Sequence, residues 1–99
     1  MNITKTEALV LQQLVSVAGS QLYGLEMVKA SDGHLKMGSI YVILDRLQRK
    51  GFVESQREEL PPDAQRPPRR LYKITGTGTR VLHAFEALQM AFVAEPTGA

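Results

Sequence analysis

Four prolines, Pro61, Pro62, Pro67 and Pro68, crowd one short polar stretch of this chain. Proline has no amide hydrogen to donate and does not sit inside a helix or an inner strand. Residues Glu58 to Pro68 therefore read as an exposed loop. On one side of it, Phe52-Val53-Glu54-Ser55-Gln56-Arg57 alternates like a strand; on the other, Arg69-Arg70-Leu71-Tyr72-Lys73-Ile74-Thr75 reads as a second strand. The two make a β-hairpin with a long tip. With 99 residues the chain has room for one core, and whatever precedes the hairpin must share it.

What precedes it is helical. Thr4 and Glu7 have the spacing of a capping box, so a first helix starts at Thr4. Ala8, Leu9, Val10, Leu11, Leu14, Val15, Val17 and Ala18 follow, too many apolar residues for a one-faced surface helix, and Gly19-Ser20 ends it. A short second helix fits Tyr23 to Ser31, with Asp32-Gly33 as its stop. A third runs from about Ser39 to Lys50, with Ile40, Ile43, Leu44 and Leu47 on one side and Gly51 as terminator. After the hairpin, Thr75 can cap a last helix whose Val81, Phe85, Leu88 and Phe92 form a heptad-like stripe. So small a domain already fills its core from the other helices, which points the stripe towards a second copy of the chain. Met27, Met37 and Met90 read as core filler.

Three helices and then a hairpin is the order of a winged helix-turn-helix, an α+β fold. With Ile40, Leu44 and Leu47 inward, a rotation of 100° per residue turns Ser39, Val42, Asp45, Arg46 and Arg49 outward, with Tyr41 at the flank. Ser39 and Arg46 can bond phosphates or base edges, and Val42 can touch a thymine methyl. Asp45 opposes phosphate unless it pairs with Arg49 or accepts from a cytosine. Charge supports a polyanion partner. Between Lys36 and Arg80 there are ten basic residues against five acidic ones, whereas the rest of the chain is net acidic. Lys36 belongs with this basic region, and the hairpin adds Arg66, Arg69, Arg70 and Lys73. Glu58, Glu59 and Asp63 at the start of the loop pull the other way.

Other functions find little support. Without cysteine there is no disulfide or thiolate metal site. His34 and His83 lack the neighbours of a metal site. Gly76-Thr77-Gly78 lacks the third glycine of a dinucleotide fingerprint, and neither a P-loop nor a serine elbow is present. The expectation is a protein that is not an enzyme and needs no cofactor or metal. No apolar run is long enough to span a bilayer and the N-terminal residues do not read as a secretory signal, so the expected location is the cytoplasm, away from membranes.

Four motifs, in order, resemble the PadR family of transcriptional regulators. Leu22-Tyr23-Gly24-Leu25-Glu26 resembles the family's opening of the second helix. Gly38-Ser39-Ile40-Tyr41-Val42-Ile43-Leu44-Asp45-Arg46-Leu47 resembles its recognition helix, followed by Lys50-Gly51-Phe52-Val53-Glu54. Arg66-Pro67-Pro68-Arg69-Arg70-Leu71-Tyr72-Lys73-Ile74-Thr75 resembles its wing, although prolines stand where the family usually has a glycine. The resemblance spans roughly residues 6 to 90. It implies a repressor acting as a homodimer on an inverted-repeat operator in double-stranded DNA. Lys36, Ser39, Tyr41, Val42, Arg46, Arg49, Arg66, Arg69, Arg70, Lys73 and Tyr23 are then the DNA-binding candidates. Leu9 of the first helix and Val81, Phe85, Leu88 and Phe92 of the last are the dimerisation candidates. Residues 1–75 would form the DNA-binding domain, 76–94 a single dimerisation helix typical of the family's short subgroup, and 95–99 a frayed tail. A small apolar effector between the last helices is a further partner to consider. With no tryptophan there and Leu88 in that stretch, the family's aromatic effector site is not carried over. The rival reading is a winged-helix protein–protein interaction module without specific DNA binding.

Overall fold

The computed structural model describes residues 3–17 and 20–93, with side chains as far as residue 90. The chain runs α1 (Lys5–Ser16), β1 (Leu22–Tyr23), α2 (Gly24–Ala30), α3 (Met37–Arg49), β2 (Val53–Arg57), β3 (Arg70–Ile74) and α4 (Gly76–Val93). Helix α1 begins as its sequence dictates: the Glu7 amide donates to Thr4 Oγ1 at 3.0 Å and the Thr4 amide to Glu7 Oε1 at 2.8 Å. Its C-cap is Val17; the expected stop at Gly19 and the tail at 95–99 lie outside the described residues.

The expected hairpin is part of a larger sheet. Strand β1, absent from the sequence reading, pairs antiparallel with β3 in the order β1-β3-β2. Leu22 faces Tyr72 and Tyr23 faces Leu71, so Tyr23 belongs to this strand and α2 is shorter than the expected Tyr23–Ser31. Strands β2 and β3 pair from Val53–Ile74 to Arg57–Arg70. One further bond, from the Glu58 amide to the Arg69 carbonyl at 2.7 Å, carries the pairing into the loop.

Helix α3 starts two residues ahead of expectation, at Met37. It ends where expected. Gly51 takes φ +82°, its amide donates to Gln48 O, and the Phe52 amide donates to Leu47 O. These two bonds are the 5→2 and 6→1 closures of a Schellman motif. They turn the chain so that Phe52 drops into the core. That core is built from Leu11 and Leu14 of α1, Met27 of α2, Ile40, Leu44 and Leu47 of α3, Phe52, and Leu82 of α4. Thr75 joins the hairpin to α4: its hydroxyl donates to Gly51 O at 2.7 Å and accepts from the Gly78 amide at 3.0 Å, capping the helix. Of the three methionines read as core filler only Met27 is buried; Met37, at the first residue of α3, and Met90, near the end of α4, are exposed. Among the described residues no helix is long and apolar enough to cross a membrane.

Among the described residues one charge lies inside this core. The Glu7 side chain is 0% exposed, and it receives Arg46 Nε at 2.8 Å, from the last turn of α3, and Lys50 Nζ at 3.0 Å, from its C-cap. Burial works to raise its pKa, but the bonds from the Thr4 amide, Arg46 and Lys50, with the Lys50 charge, outweigh it and hold the carboxyl below its ordinary 4.5. A depressed carboxylate pKa stabilises the fold above the unfolded value and loses that effect as pH falls through the folded value.

Two outcomes are expected. In thermal melts, wild type should lose stability as the pH drops below about 4.5, with Glu7→Gln flattening that descent; parallel curves for the two proteins would rule out Glu7 as a contributor. In urea titrations, Phe52→Ala should cost about 3–5 kcal/mol and Gly51→Ala about 1–2 kcal/mol. The reverse order would mean that the chain reversal, not the packing below it, limits stability.

Candidate nucleic-acid interface

Because Ile40, Ile43, Leu44 and Leu47 are buried, the opposite face of α3 is fixed without further assumption. Ser39, Tyr41, Val42, Asp45, Arg46 and Arg49 are all exposed, on the side that the spacing assigned to them. Two large side chains stand out on this polar face: Val42 is 63% exposed and Tyr41 48%. Tyr41 also locks α3 to α2. A Cβ on Gly24 would come within 2.7 Å of the Tyr41 ring, so a larger residue there would push the half-exposed ring away from the start of α2. Lys36 occupies the N-cap of α3, exposed and without a side-chain cap bond.

The cations are distributed less openly than the sequence count suggested. Arg49 Nη2 lies 3.0 Å from Asp45 one turn earlier, which cancels much of the unfavourable charge at Asp45. Lys73 pairs with Glu54 at 3.2 Å across the β2–β3 ladder. Arg66 donates two bonds to Glu58, at 2.7 and 3.1 Å, and the Arg69 amide adds a third at 3.2 Å. The Arg66 guanidinium, foremost, holds the Glu58 carboxyl down at about 2. Arg46 is tied by its Nε to Glu7, leaving only its terminal nitrogens for a ligand. Exposed pairs of this kind contribute little net energy, so a phosphate can exchange for the carboxylates of Asp45, Glu54 and Glu58.

Lys36, Arg69 and Arg70 make no ion pair among the described residues. Arg69 lies over the Tyr23 ring at 4.3 Å from its centroid, a cation–π contact between the loop end of the hairpin and β1. Arg70 donates to Ser55 Oγ at 3.2 Å. Directly across the ladder from Arg70 is Arg57, exposed and also without an ion pair. Sequence reasoning passed over Arg57, because its pairing with Arg70 depends on how the long loop between the strands closes, which no local pattern announces. The structure thus gathers Arg57, Arg69, Arg70 and Tyr23 at one end of the sheet, while Arg66 is held back by Glu58.

The dimerisation candidates divide. Leu9, Val81 and Phe85 are partly buried and packed against the chain's own core, whereas Leu88 is 62% exposed. The Phe92 side chain lies outside the described residues. Between α1 and α4 runs a groove of about 270 Å³ lined by residues that include Ala8, Leu9, Gln12, His34 and Phe85.

Comparison with known proteins agrees with the fold. Solved structures similar to the chain include a PadR family transcriptional regulator from Eggerthella lenta, at 28% identity and a TM-score of 0.73, covering 88% of this chain and 73% of that one. A PadR-like transcription factor from Bacteroides fragilis, at 24% identity, shares the fold, with a TM-score of 0.72 and coverage of 88% and 82%. A cysteine-to-serine mutant of MarR from E. coli, solved in complex with operator DNA, matches at 25% identity and a TM-score of 0.68; the match covers 93% of this chain and 59% of MarR. Among curated protein sequences none matches. The model of the PadR-like family of transcriptional regulators matches residues 13–84, the stretch that carries α2, α3, the hairpin and the start of α4. The chain belongs to the PadR-like family of transcriptional regulators.

Proposed function

We propose that this chain regulates transcription from the cytoplasm as a homodimer, binding an inverted-repeat operator in double-stranded DNA and blocking access to the promoter. The observation that carries the reading is the outer face of α3. Val42 and Tyr41 leave large apolar surface in water there, at a cost that a major-groove contact would recover, Val42 against a thymine methyl. Ser39 and the terminal nitrogens of Arg46 flank them as hydrogen-bonding groups for base edges. Lys36, Tyr41 and Arg49 are assigned to phosphates beside the helix, and Arg69, Arg70 and Lys73, with Tyr23 supporting Arg69 and Arg57 added beside Arg70, to phosphates along the wing. Arg66 joins them on release from Glu58. MarR, similar in fold, was solved on operator DNA.

In this reading residues 1–75 are the DNA-binding unit and 76–94 the dimerisation helix. Exposed Leu88 and the α1–α4 groove bordered by Leu9 and Phe85 support a second copy as the partner of that face, with Val81 and Phe92 assigned to the same seam. The groove is also where we place a small apolar effector, over the floor made by Ala8, Leu9 and Phe85.

Selection of bound sequences from a random duplex pool at near-physiological salt tests the proposal. An inverted repeat with half-sites about one helical turn, roughly 10 base pairs, apart is expected. Recovery of no motif, with binding that vanishes as salt rises, would overturn it in favour of the protein-interaction module. On the selected operator, Arg69→Ala with Arg70→Ala should flatten the log–log salt slope by up to about 2 per protomer. Glu58→Gln, by freeing Arg66, should steepen it by about 1. An unchanged slope in the double variant would remove the wing from the phosphate contacts.

A further inference from the structure

The buried Glu7 carboxylate reaches the DNA-facing surface through one residue. Its Oε2 accepts from Arg46 Nε at 2.8 Å, and Arg46 stands on the outer face of α3 with 46% of its side chain exposed. Lys50 Nζ closes the site from the next turn, at 3.0 and 3.4 Å from the two oxygens. The Thr4 amide fixes the carboxylate itself from the start of α1. Arginine has many rotamers, and a tether at Nε removes most of them before any ligand arrives. It also leaves the two terminal nitrogens as the only donors pointing away from the domain. A buried ion pair of this kind is seldom the most stabilising way to fill a core, since apolar residues of equal volume commonly do as well. Orienting a functional group is a reason to keep one.

We propose that Glu7 is a positioning residue for base readout: by holding Nε, it aims the Arg46 guanidinium at one base pair of each half-site and so sets sequence preference there. Glu7 touches no DNA itself. The inference rests on the operator-binding reading above and deepens it. The proposal separates two effects that a role in stability alone would not separate. Loss of the tether frees Arg46 to reach any nearby phosphate, so binding to unrelated duplex should hold or strengthen while discrimination at that one position falls.

The test compares wild type, Glu7→Gln, Arg46→Ala and the double variant on the pool-selected operator, on operators changed one base pair at a time, and on unrelated duplex at the same salt. Glutamine at position 7 can still accept from the Thr4 amide, which preserves the cap of α1. Glu7→Gln is expected to lose about tenfold in discrimination at a single position per half-site, the same position at which Arg46→Ala loses it. The double variant should lose no more than Arg46→Ala alone. Should Glu7→Gln not fold, Glu7→Asp keeps the charge but draws it back by one methylene, and a smaller loss confined to that position is expected. Equal weakening on every sequence, or discrimination left intact while wild type remains selective, overturns the role of Glu7 and leaves operator binding standing. Wild type without any sequence preference overturns both.

Discussion

Ile40, Leu44 and Leu47 have no surface in contact with water, and because they recur every three or four residues their burial leaves α3 one orientation about its axis. Most of the functional geometry descends from that constraint. Val42 and Ser39 face outward because they lie opposite the seam, and Phe52 enters the core because α3 stops one residue earlier in a glycine turn. The same turn starts β2, whose pairing with β3 brings Arg57 beside Arg70. A substitution that shifted α3 by one residue would turn its buried seam about 100° out of the core as well as displace the wing.

The parts of this arrangement that were legible in the sequence are the parts governed by near neighbours. Thr4 and Glu7 are three residues apart, Gly51 follows its helix directly, and the prolines break the chain where they stand; each produced the element expected of it. The parts that escaped depend on residues distant along the chain. Leu22 and Tyr23 form a strand only because β3 offers an unpaired edge, and two residues carry too little pattern to announce it. Glu7 and Arg46 are 39 residues apart, so the capping box revealed one role of Glu7 and concealed the other. The wing arginines were visible as cations, but whether each was neutralised depended on a loop conformation that pairs Glu58 with Arg66.

That neutralisation changes what the basic region can accomplish. An unopposed array of arginines would hold any duplex tightly and leave little difference between one sequence and another. Here carboxylates at Asp45, Glu54 and Glu58 occupy cations that would otherwise take phosphates. Attraction to arbitrary DNA is lowered at each of these positions, while Val42 and Ser39 lose nothing. The balance moves towards contacts that depend on the identity of a base.

Strand β1 has only two residues, yet it fastens β3 to the entry of α2, next to the Tyr23 ring that carries Arg69. Strand β3 is therefore held from both sides, by β1 and by β2, whereas the loop beyond Glu58 has no sheet partner beyond the Arg69 carbonyl bond. Between Glu59 and Gln65, short of the Arg66 and Arg69 contacts with Glu58, length is the least coupled to the angle at which the hairpin leaves the body. The tip around Pro62 and Asp63 is consequently the natural place for insertion, whether by evolutionary drift or by attachment of a fluorescent reporter, with the rest of the domain left in register.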